Sequence, residues 1–190
     1  MAKSLWLVCS CLLLMANGCG SKKETTGIQQ VLGLQKMSNL ATAEYVVTKI
    51  IKANDNKTWY KIGDRKIVMN CKSTLSAGID LSQLTEKDIS IDGDHITITL
   101  PHAKLLYLNI NPEDIKTAYR QVSLFRSNFT AQEKDALAAQ AEKQIRESVD
   151  SLGILVTAET NASLFINNFL QKVGYKNINI NYSSAKIPLQ

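Results

Sequence analysis

Ile67-Val68-Met69-Asn70-Cys71-Lys72-Ser73-Thr74-Leu75-Ser76-Ala77-Gly78-Ile79-Asp80-Leu81 alternates with a period of two. Its odd positions carry Ile67, Met69, Cys71, Ser73, Leu75, Ala77, Ile79 and Leu81; its even positions from 70 onward are polar or glycine. Successive side chains of a strand point to opposite faces, so the pattern predicts one long strand with a buried and a wet side, bent near Ser73 or Gly78. Cys71 falls on the apolar side and reads as a small buried hydrophobe rather than a reactive thiol.

The neighbouring segments extend this sheet. Residues 45–53 are rich in Val, Ile and Thr, and the turn signal Asn54-Asp55-Asn56-Lys57 separates them from a second apolar stretch at 59–62. Ile89-Ser90-Ile91 and Ile96-Thr97-Ile98-Thr99-Leu100 flank Asp92-Gly93-Asp94, a tight hairpin in which Gly93 supplies a positive φ. Leu106, Leu108 and Ile110 continue the strand region, and residues 28–39 hold a short helix.

Past residue 110 the period becomes helical. Asn111-Pro112-Glu113-Asp114 reads as a helix start, with a cap, a first-turn proline and acids at the positive dipole end. Thr130-Ala131-Gln132-Glu133 matches a capping box, followed by the stripe Leu137, Ala141, Ile145, Val149 and Leu152 up to Gly153. A further helix carries Ala158, Ala162, Phe165, Ile166, Phe169, Leu170 and Val173 and closes at Gly174. Ile178, Ile180 and Tyr182 then alternate in a last strand. The expected class is α+β: a mostly antiparallel sheet, of N-terminal strands plus a C-terminal strand, covered by two or three helices. One domain spans residues 28–190.

The N-terminal segment reads as an address. Lys3, an apolar run from Leu5 to Met15 and the small residues before Cys19 describe a secretory signal, too short to span a bilayer. Cys19 directly after Ala16-Asn17-Gly18 resembles a bacterial lipoprotein signal, with Ala16 where leucine is usual. That resemblance implies cleavage of residues 1–18, lipidation (diacylglycerol, palmitate) at Cys19 and a tether over residues 19–27. The protein is then expected in the cell envelope, held by lipid to the outer membrane, with its domain outside the cytoplasm.

Gly78-Ile79-Asp80-Leu81-Ser82, residues 96–101, Gly153-Ile154-Leu155 leading to 158–162, and Gly174 before the last strand resemble an uncharacterised bacterial family. It is a domain of unknown function (four-two-three-zero) found on Bacteroidetes-type envelope lipoproteins. The resemblance covers about residues 30–182 and implies one intact envelope-facing domain. It implies no activity, cofactor or catalytic residue.

The residues themselves narrow the chemistry. The formal net charge is +5, but the cations are scattered, so no nucleic-acid stripe forms. With Cys9 and Cys11 in the signal and Cys19 lipidated, Cys71 is left without an intramolecular disulfide partner. Asp92, Asp94 and His95 cluster at a hairpin tip, yet a metal site needs three or four converging ligands, so no metal and no cofactor is expected. His102 has no cysteine nucleophile or Gly-x-Ser-x-Gly elbow beside it, and no catalytic residue is assigned. Glu133, Glu142 and Glu147 read as a solvated helix face. Trp59, Tyr60 and Tyr107 are the candidate binding surface, against the alternative of cross-strand packing. The reading is a non-enzymatic binding or scaffolding module with an envelope protein or glycan as partner. The alternatives are an envelope hydrolase, with His102 first suspect, and a lipid or hydrophobe carrier.

Overall fold

Two long strands form the spine. β1 (Asn39–Asp55) and β2 (Arg65–Asp80) pair antiparallel, from Asn39 opposite Asp80 to Asp55 opposite Arg65, with a register shift between Ala41 and Ala43. The computed structural model describes residues 22–56 and 59–184. The expected signal segment and Cys19 lie outside these residues.

The alternation that predicts β2 is realised in its burial. Ile67, Cys71, Leu75, Ala77 and Ile79 are wholly removed from solvent, and Met69 nearly so. Each large side chain of this kind contributes about 1.5–3 kcal/mol when buried. β2 changes partner part-way along. Its first half, Arg65 to Cys71, pairs antiparallel with β6 (Ile115–Val122), and its second half, from Thr74, pairs antiparallel with β5 (Lys104–Asn109). The switch falls around Ser73, one of the two expected bend points. Gly78 has a different role: a Cβ there would lie 2.0 Å from the Leu40 carbonyl oxygen, so only glycine lets β1 come this close.

A second sheet holds β3 (Ile89–Asp92), β4 (His95–Leu100) and β7 (Asn177–Tyr182). The β3–β4 hairpin turns through Gly93 at φ 61°, as its Asp-Gly-Asp sequence requires. The last strand does join a sheet, pairing parallel with β4 from His95–Asn177 to Leu100–Tyr182.

Among the described residues three α-helices complete the fold. α1 (Lys22–Leu32) begins inside the segment read as a tether and runs into a 3-10 turn that buries Leu34. Gly27 lies within α1, where a Cβ would meet the Tyr175 hydroxyl at 2.7 Å. α2 (Ala131–Glu147) starts with the expected capping box: Glu133 N–H donates to Thr130 Oγ1 and Thr130 N–H donates to the Glu133 carboxylate. α3 (Ile154–Val173) buries Ile154, Ala158, Ala162, Ile166 and Leu170, a stripe of fourfold steps packed on β1, β2 and β7. Gly153 and Gly174 bound it with positive φ. The architecture is α+β with antiparallel pairing dominant, as expected.

The segment at 111–114 departs from expectation. Asn111-Pro112-Glu113-Asp114 forms a single 3-10 turn and the chain continues as β6 instead of a helix. The local cap signals are honoured for one turn. Ile115, Thr117, Tyr119 and Val122 then favour the extended state, and the edge of β2 supplies the hydrogen-bond partners. The apolar residues at 59–62 lie in turn structure rather than in a core strand. Among the described residues no helix is long and apolar enough to cross a membrane.

Candidate functional site

In the four-stranded sheet the helices cover one face. By register the other face carries Glu44, Val46, Thr48, Ile50 and Lys52 of β1, Lys66, Val68, Asn70, Lys72 and Thr74 of β2, Lys116 and Tyr119 of β6, and Tyr107 of β5. Val46, Ile50, Tyr107 and Tyr119 are each more than half exposed. Lys52, Lys66, Lys72 and Lys116 are exposed as well. None of these four lysines makes an ion pair among the described residues, so the face is cationic with apolar side chains between the charges.

At the end where β1 turns into β2, two loops meet. Ser123 N–H donates to the Asp64 carbonyl at 3.0 Å, and Asp64 N–H donates to Ser123 Oγ at 3.0 Å. Gly63, at φ 89°, lies so close to Ser123 that a Cβ would sit 2.6 Å from the serine Cβ. Asp55, the last residue of β1, gathers three cations: Arg65 Nε at 3.0 Å, Lys61 Nζ at 3.3 Å, and the Arg126 guanidinium. The hydrogen bond from Arg65 foremost, then those from Lys61 and Arg126, lower the Asp55 carboxyl to about 2 against the opposing cost of burial. Arg126 also donates to the Gly63 carbonyl at 3.2 Å. Arg65 reaches on to Glu133 at the head of α2 and lies over the Phe129 ring at 4.5 Å. Glu133 is held below its ordinary range by Arg65 first and by the Thr130 N–H second.

The outer side of these bolted loops is apolar. Trp59 is 96% exposed, Leu124 97% and Phe125 80%, with Tyr60 and Ile62 about two-thirds exposed beside them. Trp59 and Tyr60 meet edge to face at 5.5 Å. The candidate trio is therefore split: Trp59 and Tyr60 are neighbours at the tip, while Tyr107, opposite Ser76, stands toward the other end of the same sheet.

A polar cluster lies elsewhere, where the β4–β5 connection meets α3. His102 Nδ1 is 2.8 Å from Glu159 Oε1, and the same carboxylate oxygen accepts the Ala103 N–H at 3.1 Å. The imidazole stacks on Tyr182 with centroids 5.6 Å apart, and the Tyr182 hydroxyl donates to the Glu159 carbonyl at 2.6 Å and meets Ser163 Oγ at 2.8 Å. Burial foremost pushes the Tyr182 phenol up. Among the described residues no group of three or more His, Cys, Asp and Glu could hold a metal ion. The His95 side chain at the hairpin tip meets Asp94 at 2.9 Å. A shallow open groove of about 320 Å³ lies between α2 and β6, lined in part by Met69, Ile115 and Lys134.

Residues 33–180, more than half of the chain, match the model of a family described as a protein of unknown function, DUF4230. The chain belongs to that family. No curated protein and no solved structure matches it. The DUF4230 region takes in β1 to β6, α2, α3 and most of β7, whereas α1 precedes it. The phrases that carried the resemblance are packing and turn residues of this DUF4230 fold: Gly78 at the close approach, Gly153 and Gly174 at the ends of α3. Two parts of the sites escaped sequence reasoning. Glu159 sits on α3, far in sequence from His102, with nothing local to pair them. Leu124-Phe125 carried a usable signal, an apolar pair inside the polar run of Ser123, Arg126, Ser127 and Asn128.

Proposed function

We propose that this chain is a lipid-anchored cell-envelope protein that acts by binding, through the open face of its four-stranded sheet and the apolar tip at its end. One observation carries the binding reading. Of the thirteen large apolar side chains exposed among the described residues, nine belong to that face and tip: Val46, Ile50, Trp59, Tyr60, Ile62, Tyr107, Tyr119, Leu124 and Phe125. Scattered single apolar residues need no explanation, but a concentration on one surface does. The anchor rests on the sequence around Cys19. Lys22, where α1 begins, follows it by three residues, a reach of at most about 10 Å, so a lipid on Cys19 would hold the domain close to its membrane.

In-cell photo-cross-linking tests this. A photoreactive residue at Ile50 or Phe125 should yield recurrent adducts, of protein, lipid or glycan, that the same group at Leu164 on α3 does not. Equal labelling from all three positions refutes the surface. Cys19→Ala should release the protein from the membrane fraction.

A second reading, an envelope hydrolase, is favoured by the His102–Glu159 pair. A carboxylate on Nδ1 orients an imidazole as a base. Against it, Ser163 is engaged by Tyr182, and His102 makes no hydrogen bond to a hydroxyl or thiol among the described residues. Loss of a hydrolytic activity in a folded His102→Ala protein would favour the enzyme.

A further inference from the structure

We propose that the occupant of the open face and tip is an anionic lipid bilayer, on which the domain lies along its four-stranded sheet. The inference rests on the reading of that surface as the binding surface.

The surface offers both kinds of contact that a bilayer makes. At the tip stand the exposed Trp59, Ile62, Leu124 and Phe125, which suit the boundary between headgroups and acyl chains, and Tyr60 as an amphipathic ring. Along the sheet stand Lys52, Lys66, Lys72 and Lys116, without carboxylate partners among the described residues and suited to lipid phosphates. Glu44 and the Asp80 of the Lys104–Asp80 ion pair are the acids that the strand register puts on this face. A glycan polyanion would satisfy the lysines but offers no apolar layer for Leu124 and Phe125. An acidic protein would need both an apolar pocket for the tip and carboxylates spaced along the ribbon. A bilayer supplies both at once.

The tip is also pre-organised. Asp55 with its three cations, Arg126 on the Gly63 carbonyl, and the Asp64–Ser123 pair of hydrogen bonds fix the two loops to each other. The apolar side chains are therefore presented rather than folded back on the core. The register adds reach: β1 starts beyond the turn that follows α1 and ends at the tip, about 50 Å away as an extended strand. A domain held near a membrane by Cys19 and lying on this face would meet the bilayer along the part of that length where the face is exposed, from Glu44 to Lys52 on β1.

Trp59 reports on the contact directly. The full chain carrying Trp6→Phe has Trp59 as its only indole. With vesicles of phosphatidylglycerol and acyl-brominated lipid, Trp59 emission should shift to the blue and be quenched. Half-maximal quenching should need at least about tenfold less lipid than with phosphatidylcholine vesicles, since each of the four lysines at an anionic surface contributes up to about fivefold and screening lowers the product. Replacing Lys52, Lys66, Lys72 and Lys116 together by Gln should remove that difference, and Leu124→Ser with Phe125→Ser should lower the quenching on both lipids. Near-ultraviolet circular dichroism checks that the variants are folded. Equal quenching on anionic and neutral vesicles, or none on either, overturns the proposal. If quenching fails while the Ile50 and Phe125 cross-links persist on a protein, the surface stands and its occupant is that protein. If both fail, the surface reading falls as well.

Discussion

Arg65, the first residue of β2, donates to Glu133, the third residue of α2, at 3.1 Å, and Glu133 at the same time accepts the Thr130 N–H at 2.8 Å. One carboxylate thus both caps a helix and ties it to the strand end that carries the apolar tip. Thr130→Ala removes half of this cap and should cost about 1 kcal/mol in urea unfolding. Glu133→Ala removes the rest of the cap together with the Arg65 contact, and it should also loosen the 123–126 loop. Hydrogen exchange at Ser123 and Arg126 should rise in the second variant and not in the first.

Acid should act on the same end of the molecule. The Asp55 carboxyl sits at about 2 when folded, mainly because of Arg65, and lies near 4 in an unfolded chain. A lowered folded value means a stabilising contribution that is whole above about pH 4 and fades as pH falls toward 2. Glu133 is shifted in the same direction. Urea midpoints between pH 5 and 2 should therefore fall more steeply for the wild type than for Asp55→Asn. Parallel curves would show that the carboxylate does not hold the loops.

The His102–Glu159 contact fastens the β4–β5 connection to α3. Glu159→Ala frees the Ala103 N–H and should destabilise by about 1 kcal/mol, with faster exchange at Ala103. Glu159→Gln retains an acceptor and should lie much closer to wild type. If Glu159→Gln instead abolished a measurable hydrolysis while leaving stability intact, the pair would be a catalytic one.

Gly78→Ala should be far more damaging than its size suggests. The new methyl would meet the Leu40 carbonyl at 2.0 Å, so β1 must move away from β2 near the bulge at Ala41. A loss of at least about 2 kcal/mol is expected, or failure to fold. Gly153→Ala, where nothing lies within 4 Å, should show only the smaller cost of its positive φ.

Cys71 has no exposed surface, and burial raises its thiol above the ordinary value. It should resist alkylation in the native protein and react on unfolding, as mass spectrometry of its peptide would show. Rapid labelling of native protein would mean that β2 opens locally.

The legible features were those with local causes. The period-two run from Ile67 to Leu81, the Thr130–Glu133 box and the glycines at 93, 153 and 174 each answer to neighbours within a few residues, and each stands as read. Partner choice is not local. The strand pattern at Ile96–Leu100 is the same whether β7 joins it or joins β2, so the division into two sheets was invisible. Asn111–Asp114 carries cap residues that serve a 3-10 turn as well as a helix, and only the open edge of β2 decides for β6. The candidate surface was half legible. Trp59 and Tyr60 are exposed in a turn and not in a strand row, and nothing within either loop says that the segment of Leu124 and Phe125 meets theirs. That follows from Gly63, Asp64 and Ser123 meeting in space.

The parallel pairing of β4 with β7 joins two segments far apart in the chain. Ile96 and Ile98 lie opposite Ile178 and Ile180, and Ser183 N–H closes onto the Leu100 carbonyl at 2.9 Å. A chain delivered from its N-terminus presents β4 well before its partner, since α2, α3 and two strands of the other sheet lie between them. The small sheet stays one strand short until residue 182 arrives, because β3 and β4 alone lack that parallel partner.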